Sequence, residues 1–169
     1  MKKFLCVLAL VAVIATGTAF ASPVHPGGLG IGVLWGGSIN DGNFDNNVAL
    51  SLKIPASRVF WGVRIGVGQD DLMLGVQGDV YILGGPIVPT LGWYLGVGGY
   101  VAGVFADDVA LAFGVRLPIG LTWQPINILE VFGNVVPQVG ALLTTGDNGG
   151  FEMPSGGFFG FELGVRLWF

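Results

Sequence analysis

The last eleven residues of the chain, Phe159-Gly160-Phe161-Glu162-Leu163-Gly164-Val165-Arg166-Leu167-Trp168-Phe169, alternate strictly between two kinds of side chain. Every odd position is bulky and apolar, whereas the even positions carry glycine, both charged residues of the stretch, and Trp168. Successive side chains of a β-strand point to opposite faces. This period of two therefore predicts a strand with one apolar face and one face of small or charged residues.

The same alternation recurs upstream and predicts eight strands in all. Residues 109–123 show it most clearly, because bulky apolar side chains at odd positions alternate there with small residues and Arg116. Pro137 interrupts the seventh segment and predicts a bulge, since proline lacks a backbone donor. The remaining predicted strands span residues 28–37, 47–55, 59–68, 72–83, 91–104 and 128–143.

Nearly every strand charge lies on the face opposite the bulky apolar side chains. An Arg or Lys that faces lipid costs roughly 2–4 kcal/mol at the membrane midplane. Reversing the faces would expose four cations to lipid, at a total cost of up to roughly 8–16 kcal/mol. The whole free energy of unfolding of a domain is only about 5–15 kcal/mol. The sequence therefore predicts lipid outside and these charges inside: Lys53, Arg64, Asp79, Arg116, Glu130, Glu162 and Arg166.

Composition agrees with a lipid-facing exterior. Hydrophobic residues make up 52% of the chain and charged residues 11%, against roughly 25% charged in soluble domains. The 31 glycines are unfavourable for ordinary helices. The predicted fold is all-β, a transmembrane antiparallel up-and-down β-barrel of about eight strands, an even number as in single-chain bacterial barrels.

The N-terminus has the features of an export signal. A basic start at Lys2 and Lys3 precedes an apolar run, and Ala19-Phe20-Ala21 forms a small-residue cleavage site. We therefore expect residues 1–21 to be a cleaved signal peptide and residues 22–169 to form the barrel. The lone Cys6 leaves with the signal, and the remaining chain has a net charge of −6, which disfavours nucleic acid as a partner.

The connections alternate between short and long. With the N-terminus in the periplasm, three of them are predicted periplasmic turns, at 55–58, 84–90 and 124–127. Four are predicted external loops, at 38–46, 69–71, 105–108 and 144–157, the first and last being the longest.

Aromatic side chains then gather near both ends of the strands, as the aromatic girdles of membrane barrels do. The predicted periplasmic belt contains Trp61, Trp93, Trp123 and Phe169. The predicted outer belt contains Trp35, Phe105, Phe158 and Phe159.

The final strand, ending at Phe169, resembles the C-terminal assembly signal of outer-membrane proteins. The chain from residue 22 onward resembles the small eight-stranded group typified by OmpX, OmpW and the membrane domain of OmpA. This resemblance implies location in the bacterial outer membrane, contact with its lipid, and recognition of Phe169 by the outer-membrane assembly machinery.

The inward charges are the first candidate site. Hairpin register predicts Arg64 opposite Gln77 and diagonal to Asp79. An eight-stranded interior is normally filled by side chains, which favours a salt-bridge plug and a structural or surface-interaction role. The many inward glycines keep the alternative open, which is a small porin-like channel or a conduit for apolar solutes.

The predicted external loops carry eight carboxylates and no Lys or Arg. Such a rim suits divalent cations, which prefer oxygen ligands, or a basic partner, and its alternative role is simple solvation. These residues are Asp41, Asp45, Asp70, Asp71, Asp107, Asp108, Asp147 and Glu152.

Catalysis is not expected. His25 is the only histidine and precedes the first predicted strand, so neither a histidine-dependent hydrolase nor an imidazole metal site is predicted. We expect no cofactor and no bound metal in the barrel. A soluble periplasmic barrel is disfavoured by the apolar outward face. A helical membrane protein is disfavoured by Pro86, Pro89 and the period of two.

Overall fold

The structure is a computed structural model that describes residues 27–40, 43–67, 72–105, 109–145, 150–152 and 158–169. The predicted signal peptide lies outside this range. The described residues form strands joined by turns. Among these residues there is no helix long and apolar enough to cross a membrane. The strands are β1 (Gly30–Asn40), β2 (Asn43–Lys53), β3 (Val59–Val67), β4 (Leu72–Val88), β5 (Leu91–Phe105), β6 (Val109–Arg116), β7 (Ile119–Ile126), β8 (Leu129–Thr144), β9 (Gly150–Glu152) and β10 (Phe158–Trp168).

The sheet closes into a ring. Neighbouring strands pair antiparallel around the wall, and β10 pairs with β1 from Gly30↔Trp168 to Ile39↔Phe159. Two backbone hydrogen bonds extend this seam, because Leu29 and Phe169 each donate an amide to the other's carbonyl, at 3.0 and 2.8 Å. Closure leaves the first and last wall strands with partners on both sides, which removes the open edges of a flat sheet.

Strands β6 and β7 are two halves of one wall strand. Both lie between β5 and β8, and the pairing register is the same above and below the break at Leu117–Pro118. Pro118 has no amide to donate, yet its carbonyl accepts from Gly96 at 2.7 Å. The short β9 is a side extension that pairs with β8. The wall therefore has eight strands, and the predicted fold class is confirmed.

The bulge predicted at Pro137 is wrong. The register of β8 with β10 runs unbroken through Pro137↔Phe159. Irregularities occur instead between Tyr81 and Leu83, between Pro86 and Val88, and between Trp123 and Ile126. The two in β4 let that strand continue past Pro86, so the turn predicted at 84–90 is much shorter and occupies only residues 89–90.

The first predicted loop is also wrong in length. Residues 38–40 and 43–46 continue the β1–β2 ladder, with Ser38↔Asp45 and Asn40↔Asn43 as pairs. We call the end of the barrel with Gly30 and the tight turns at 55–56, 89–90 and 127–128 the turn end, and the opposite end the loop end. The turn end corresponds to the predicted periplasmic side. Residues 41–42, 69–71, 106–108, 146–149 and 153–157 of the predicted loops lie outside the described range.

The two faces of the wall differ as the alternation predicts. Val33 on the outer face is 58% exposed, whereas Arg116 and Glu130 inside are 0% exposed. Large apolar side chains are exposed on the outer face of every wall strand, and polar and aromatic side chains fill the inside. This inverts the distribution of a soluble protein and fits lipid as the surrounding solvent.

Aromatic side chains mark both ends of the wall, with two exceptions, Trp35 and Trp61. Trp35 is the middle residue of β1 and pairs with Val48 and Leu163, so its predicted place in the outer belt is wrong. Trp61 pairs with Gly78, whereas Trp93 pairs with Gly85, seven residues closer to the turn end of β4. At about 3.3 Å per residue on strands tilted by about 40°, Trp61 lies roughly 10–15 Å nearer the middle of the wall. Its predicted place in the periplasmic belt is therefore wrong.

Candidate functional site: the ion network of the lumen

Six of the seven predicted lumen charges form two layers. The middle layer contains Arg64, Asp79, Arg116 and Glu162, and the layer nearer the turn end contains Glu130 and Arg166. Each layer holds equal numbers of positive and negative side chains, so neither leaves a net charge inside the wall. Strand register brings these groups together, since five strands (β3, β4, β6, β8 and β10) contribute their polar faces to a narrow interior.

Glu162 on β10 is the centre of the middle layer. Its Oε1 accepts from Arg64 Nη2 at 2.6 Å and from Arg116 Nη2 at 2.7 Å. Gln77 Nε2 adds a longer bond to the same oxygen at 3.3 Å, and Asn134 Nδ2 donates to Oε2 at 2.9 Å. Because Arg64 is on β3 and Arg116 on β6, the carboxylate links opposite walls of the barrel.

Arg116 extends this bridge to β4. Its Nε lies 3.0 Å from Asp79 Oδ1, and its Nη1 donates to the side-chain oxygen of Gln77. The guanidinium is completely buried, and Arg64 retains 16% side-chain exposure. A buried guanidinium is tolerated only when carboxylates and acceptors surround it, and both conditions are met here.

The second layer is built on the pair Arg166↔Glu130, which are direct partners across β10 and β8. Arg166 Nη1 donates to Glu130 Oε2 at 2.7 Å, and Arg166 Nη2 donates to Ser51 Oγ at 2.9 Å. Glu130 also accepts from Thr122 Oγ1 and from the Trp168 indole, each at 2.8 Å. This layer therefore ties together β2, β7, β8 and β10.

Aromatic rings pack around the second layer. Phe60, Tyr81 and Tyr94 form a continuous stack, with successive ring centroids 4.3 and 4.2 Å apart. The Arg166 guanidinium lies over the Phe60 and Phe132 rings, at 4.9 and 4.5 Å. Both contacts are within cation–π range, and together with Trp168 these rings occupy the lumen towards the turn end.

The inward glycines make room for these large side chains. A Cβ added at Gly62 would lie 2.7 Å from the Gln77 side chain, and one at Gly96 would lie 2.8 Å from the Tyr81 ring. Gly120 and Gly164 are likewise covered by Tyr94 and Phe132. Glycine at these positions thus indicates a filled interior, whereas the sequence alone allowed an open one.

Two sequence expectations about partners differ from the structure. Arg64 pairs with Gly75, and Gln77 pairs with Gly62, so the predicted Arg64–Gln77 opposition is two residues out of register. Lys53 lies apart from both layers at the turn end. Its ammonium donates to the carbonyls of Ile54 and Ser57 and lies 5.4 Å from the Phe60 ring.

Several network members were not predicted as site residues. All are neutral, so a search for charged side chains passes over them. Inward parity would have found them, because each lies an even number of residues from a predicted lumen charge on the same strand or wall strand. They are Ser51, Gln77, Thr122, Asn134 and Trp168.

Six of the eight residues of the predicted acidic rim lie outside the described residues, and two lie on strands. Asp41, Asp70, Asp71, Asp107, Asp108 and Asp147 lie outside the described residues. Asp45 and Glu152 lie on β2 and β9, where the backbone alone is described. Within the described ranges there is no group of three or more His, Cys, Asp or Glu that would hold a metal ion. Cation or partner binding at this rim stays a prediction.

No protein-family model matches the chain, and no curated protein matches its sequence. The structure is similar to the N-terminal β-barrel domain of OprF from Pseudomonas aeruginosa, with a TM-score of 0.52 and 11% identity over 85% of this chain and 100% of that one. Neisserial surface protein A gives a TM-score of 0.46 at 9% identity, covering 83% and 96% of the two chains. A major outer membrane protein from Thermus thermophilus gives 0.40 at 12%, covering 83% and 99%.

The similarity to the OprF domain is one of fold. The closed ring of eight wall strands and the apolar outer face agree with this fold. Together they show that the chain is a small eight-stranded β-barrel of the bacterial outer-membrane type.

Proposed function

We propose that this barrel is a structural or surface-interaction protein of the outer membrane whose lumen is closed to solutes. The observation that supports closure is Glu162, which accepts hydrogen bonds from side chains on four other wall strands. An ion that passed this layer would have to displace Arg64 or Arg116 from the carboxylate. In a narrow interior of low dielectric, that displacement is costly.

The second layer supports the same conclusion. Arg166 is held by Glu130 and Ser51 and is sandwiched between aromatic rings, so it has little freedom to swing aside. A cavity between the two layers, lined in part by Ser51 and Asn134, is about 10 Å³, which is about the room for one water molecule. A channel would need a continuous wet path, so these contacts favour the closed barrel over the porin-like alternative.

The decisive experiment is conductance in planar bilayers with refolded protein. We expect the wild-type barrel to give no single-channel steps although its folding is verified by heat-sensitive gel migration. The matched comparison removes one ion pair from each layer, with Arg116→Ala and Glu162→Ala combined with Glu130→Ala and Arg166→Ala. This variant keeps both layers neutral and should conduct if it folds.

Stable steps from the wild-type protein would overturn the closed-lumen proposal and support the channel. Continued silence from a correctly folded four-residue variant would show that these side chains are not what closes the lumen. If that variant fails to fold, the wild-type recording alone still distinguishes a closed barrel from an open one.

A further inference from the structure

An apolar groove of about 960 Å³ crosses the outer wall over β4, β5, β6 and β8. Its floor is low because Gly78 and Gly99, partners across β4 and β5, lie at outward positions where the neighbouring residues carry valines. Trp61 on β3 and Phe151 on β9 stand at its two ends. The groove is thus a feature of the lipid-facing surface, separate from the ion network of the lumen.

The groove has the dimensions of a small-ligand site. It spans five inter-strand steps from β3 to β9, which at about 4.8 Å each gives roughly 24 Å across the strands of the wall. A bilayer hydrocarbon core of about 30 Å holds two leaflets, so one lipid chain needs roughly 15 Å. The volume lies at the upper end of the roughly 300–1,000 Å³ typical of ligand pockets.

The lining decides the chemistry of the occupant. Gln77 and Tyr100 are its polar lining residues, and both side chains point to the lumen. Gln77 is bonded to Arg116 and Glu162, and Tyr100 lies against the inner side of Gly114 and Gly140. Among the described lining residues, the indole N–H of Trp61 at one end of the groove is the remaining side-chain donor, and this nearly apolar lining favours hydrocarbon over a headgroup or a polar solute.

We propose that this groove binds one hydrocarbon chain of an outer-membrane lipid. It is continuous with the apolar wall that faces lipid, since its lining residues Val101 and Val139 are 52% and 57% exposed on the same outer face. A chain lying in the groove contacts wall on its floor and flanks, whereas a chain on the convex wall elsewhere contacts it on one side. The proposal does not depend on whether the lumen conducts.

Trp61 supplies a reporter at the groove. A Cβ added at Gly78 would lie 3.2 Å from Cζ3 of the Trp61 ring, so the indole packs beside the glycine floor. Its mid-wall height, established from the β3–β4 register, places it among lipid chains, well away from the headgroups. Quenching of Trp61 by chain-brominated lipid therefore reports on an occupant of this groove.

The test compares a filled groove with a matched substitution on the far wall. Val101→Phe places a ring in the groove, and Val139→Phe fills it from β8 in case the first variant misfolds. Val33→Phe on β1 is the control, because Val33 is equally exposed but lies on the opposite side of the barrel. Each protein is refolded into vesicles of phosphatidylethanolamine and phosphatidylglycerol, extracted in mild detergent, and examined by native mass spectrometry.

We expect one phospholipid retained per wild-type or Val33→Phe barrel. Retention should fall about ten-fold in Val101→Phe, which corresponds to roughly 1.4 kcal/mol of lost binding. In a background with Trp35→Phe, Trp93→Phe and Trp123→Phe, which removes the other exposed outward tryptophans, quenching of Trp61 by chain-brominated phosphatidylcholine should fall with Val101→Phe and not with Val33→Phe. Equal retention in all three proteins, or no retained lipid in the wild type, would overturn the proposal. So would a wild-type dimer that Val101→Phe dissociates, since the occupant would then be a second copy.

Discussion

Replacing Glu162 by Gln should destabilise the barrel strongly, although the side chain keeps its shape. The change removes the negative charge of the carboxylate to which Arg64 and Arg116 donate hydrogen bonds, at 2.6 and 2.7 Å. It also puts a new NH₂ group next to one of the four side chains that donate to Glu162. Arg116 keeps Asp79 at 3.0 Å, so it loses one of two ionic partners. Breaking a buried ion pair on one side costs about 3–5 kcal/mol. We expect about 3 kcal/mol, because Arg64 retains some contact with solvent.

The assay is reversible urea unfolding in phospholipid vesicles, followed by tryptophan fluorescence. Lys53→Gln is the matched control, since it also removes one lumen-side charge but its ammonium bonds backbone carbonyls at the turn end. Lys53→Gln should lower the free energy of unfolding by less than about 1 kcal/mol, as is usual when an exposed ion contact is lost. Arg116→Met and the Arg116→Met/Glu162→Gln double variant complete a cycle whose coupling energy should reach about 0.5–3 kcal/mol. A Glu162→Gln cost below about 1 kcal/mol, or zero coupling, would refute the network as a stabilising plug.

Three further outcomes follow from the fold and the lumen. Far-UV circular dichroism in detergent should be dominated by β-structure, with unboiled protein migrating anomalously on gels, and a helical spectrum would contradict the barrel. Deleting Phe169 should lower the level of assembled protein, because it removes the final aromatic residue and both backbone bonds to Leu29; unchanged surface levels would count against this. Gly120→Val should cost about 1–3 kcal/mol in urea unfolding by overpacking the lumen. Gly133→Ala, on the outer face with no atom nearer than 3.7 Å to an added Cβ, should be nearly neutral, and equal effects would argue against a filled interior.

The alternation of side chains carried most of the architecture. Period two requires only that neighbouring residues face opposite sides of one sheet, so residues such as Phe161 and Glu162 could be assigned to the two faces without knowing their partners. The cost of placing cations in lipid then decided which face is outside. Strand number, antiparallel order and the inward orientation of the charges are all consequences of this local rule.

Pairing register required the tertiary structure, because it depends on turns that the alternation does not describe. The two irregularities in β4 and the shortened turn at 89–90 are set by how β4 and β5 match along their whole length. A similar error of two residues separates the predicted and actual partners of Arg64, since parity is preserved when a hairpin slips by two. The alternation of side chains is the same before and after such a slip, so only packing across the barrel decides the pairing register.

Local alternation along each strand assigns residues to the lumen, whereas their contacts inside it depend on how the strands are arranged in space. Face assignment is a local property, read from each residue and its immediate neighbours. The convergence of Arg64, Arg116 and Asn134 on Glu162 depends on the closure of the ring, which brings β3, β6, β8 and β10 around one narrow space. The glycines show the same division, because their small size is evident in the sequence, whereas the side chains that occupy the space beside them come from other strands.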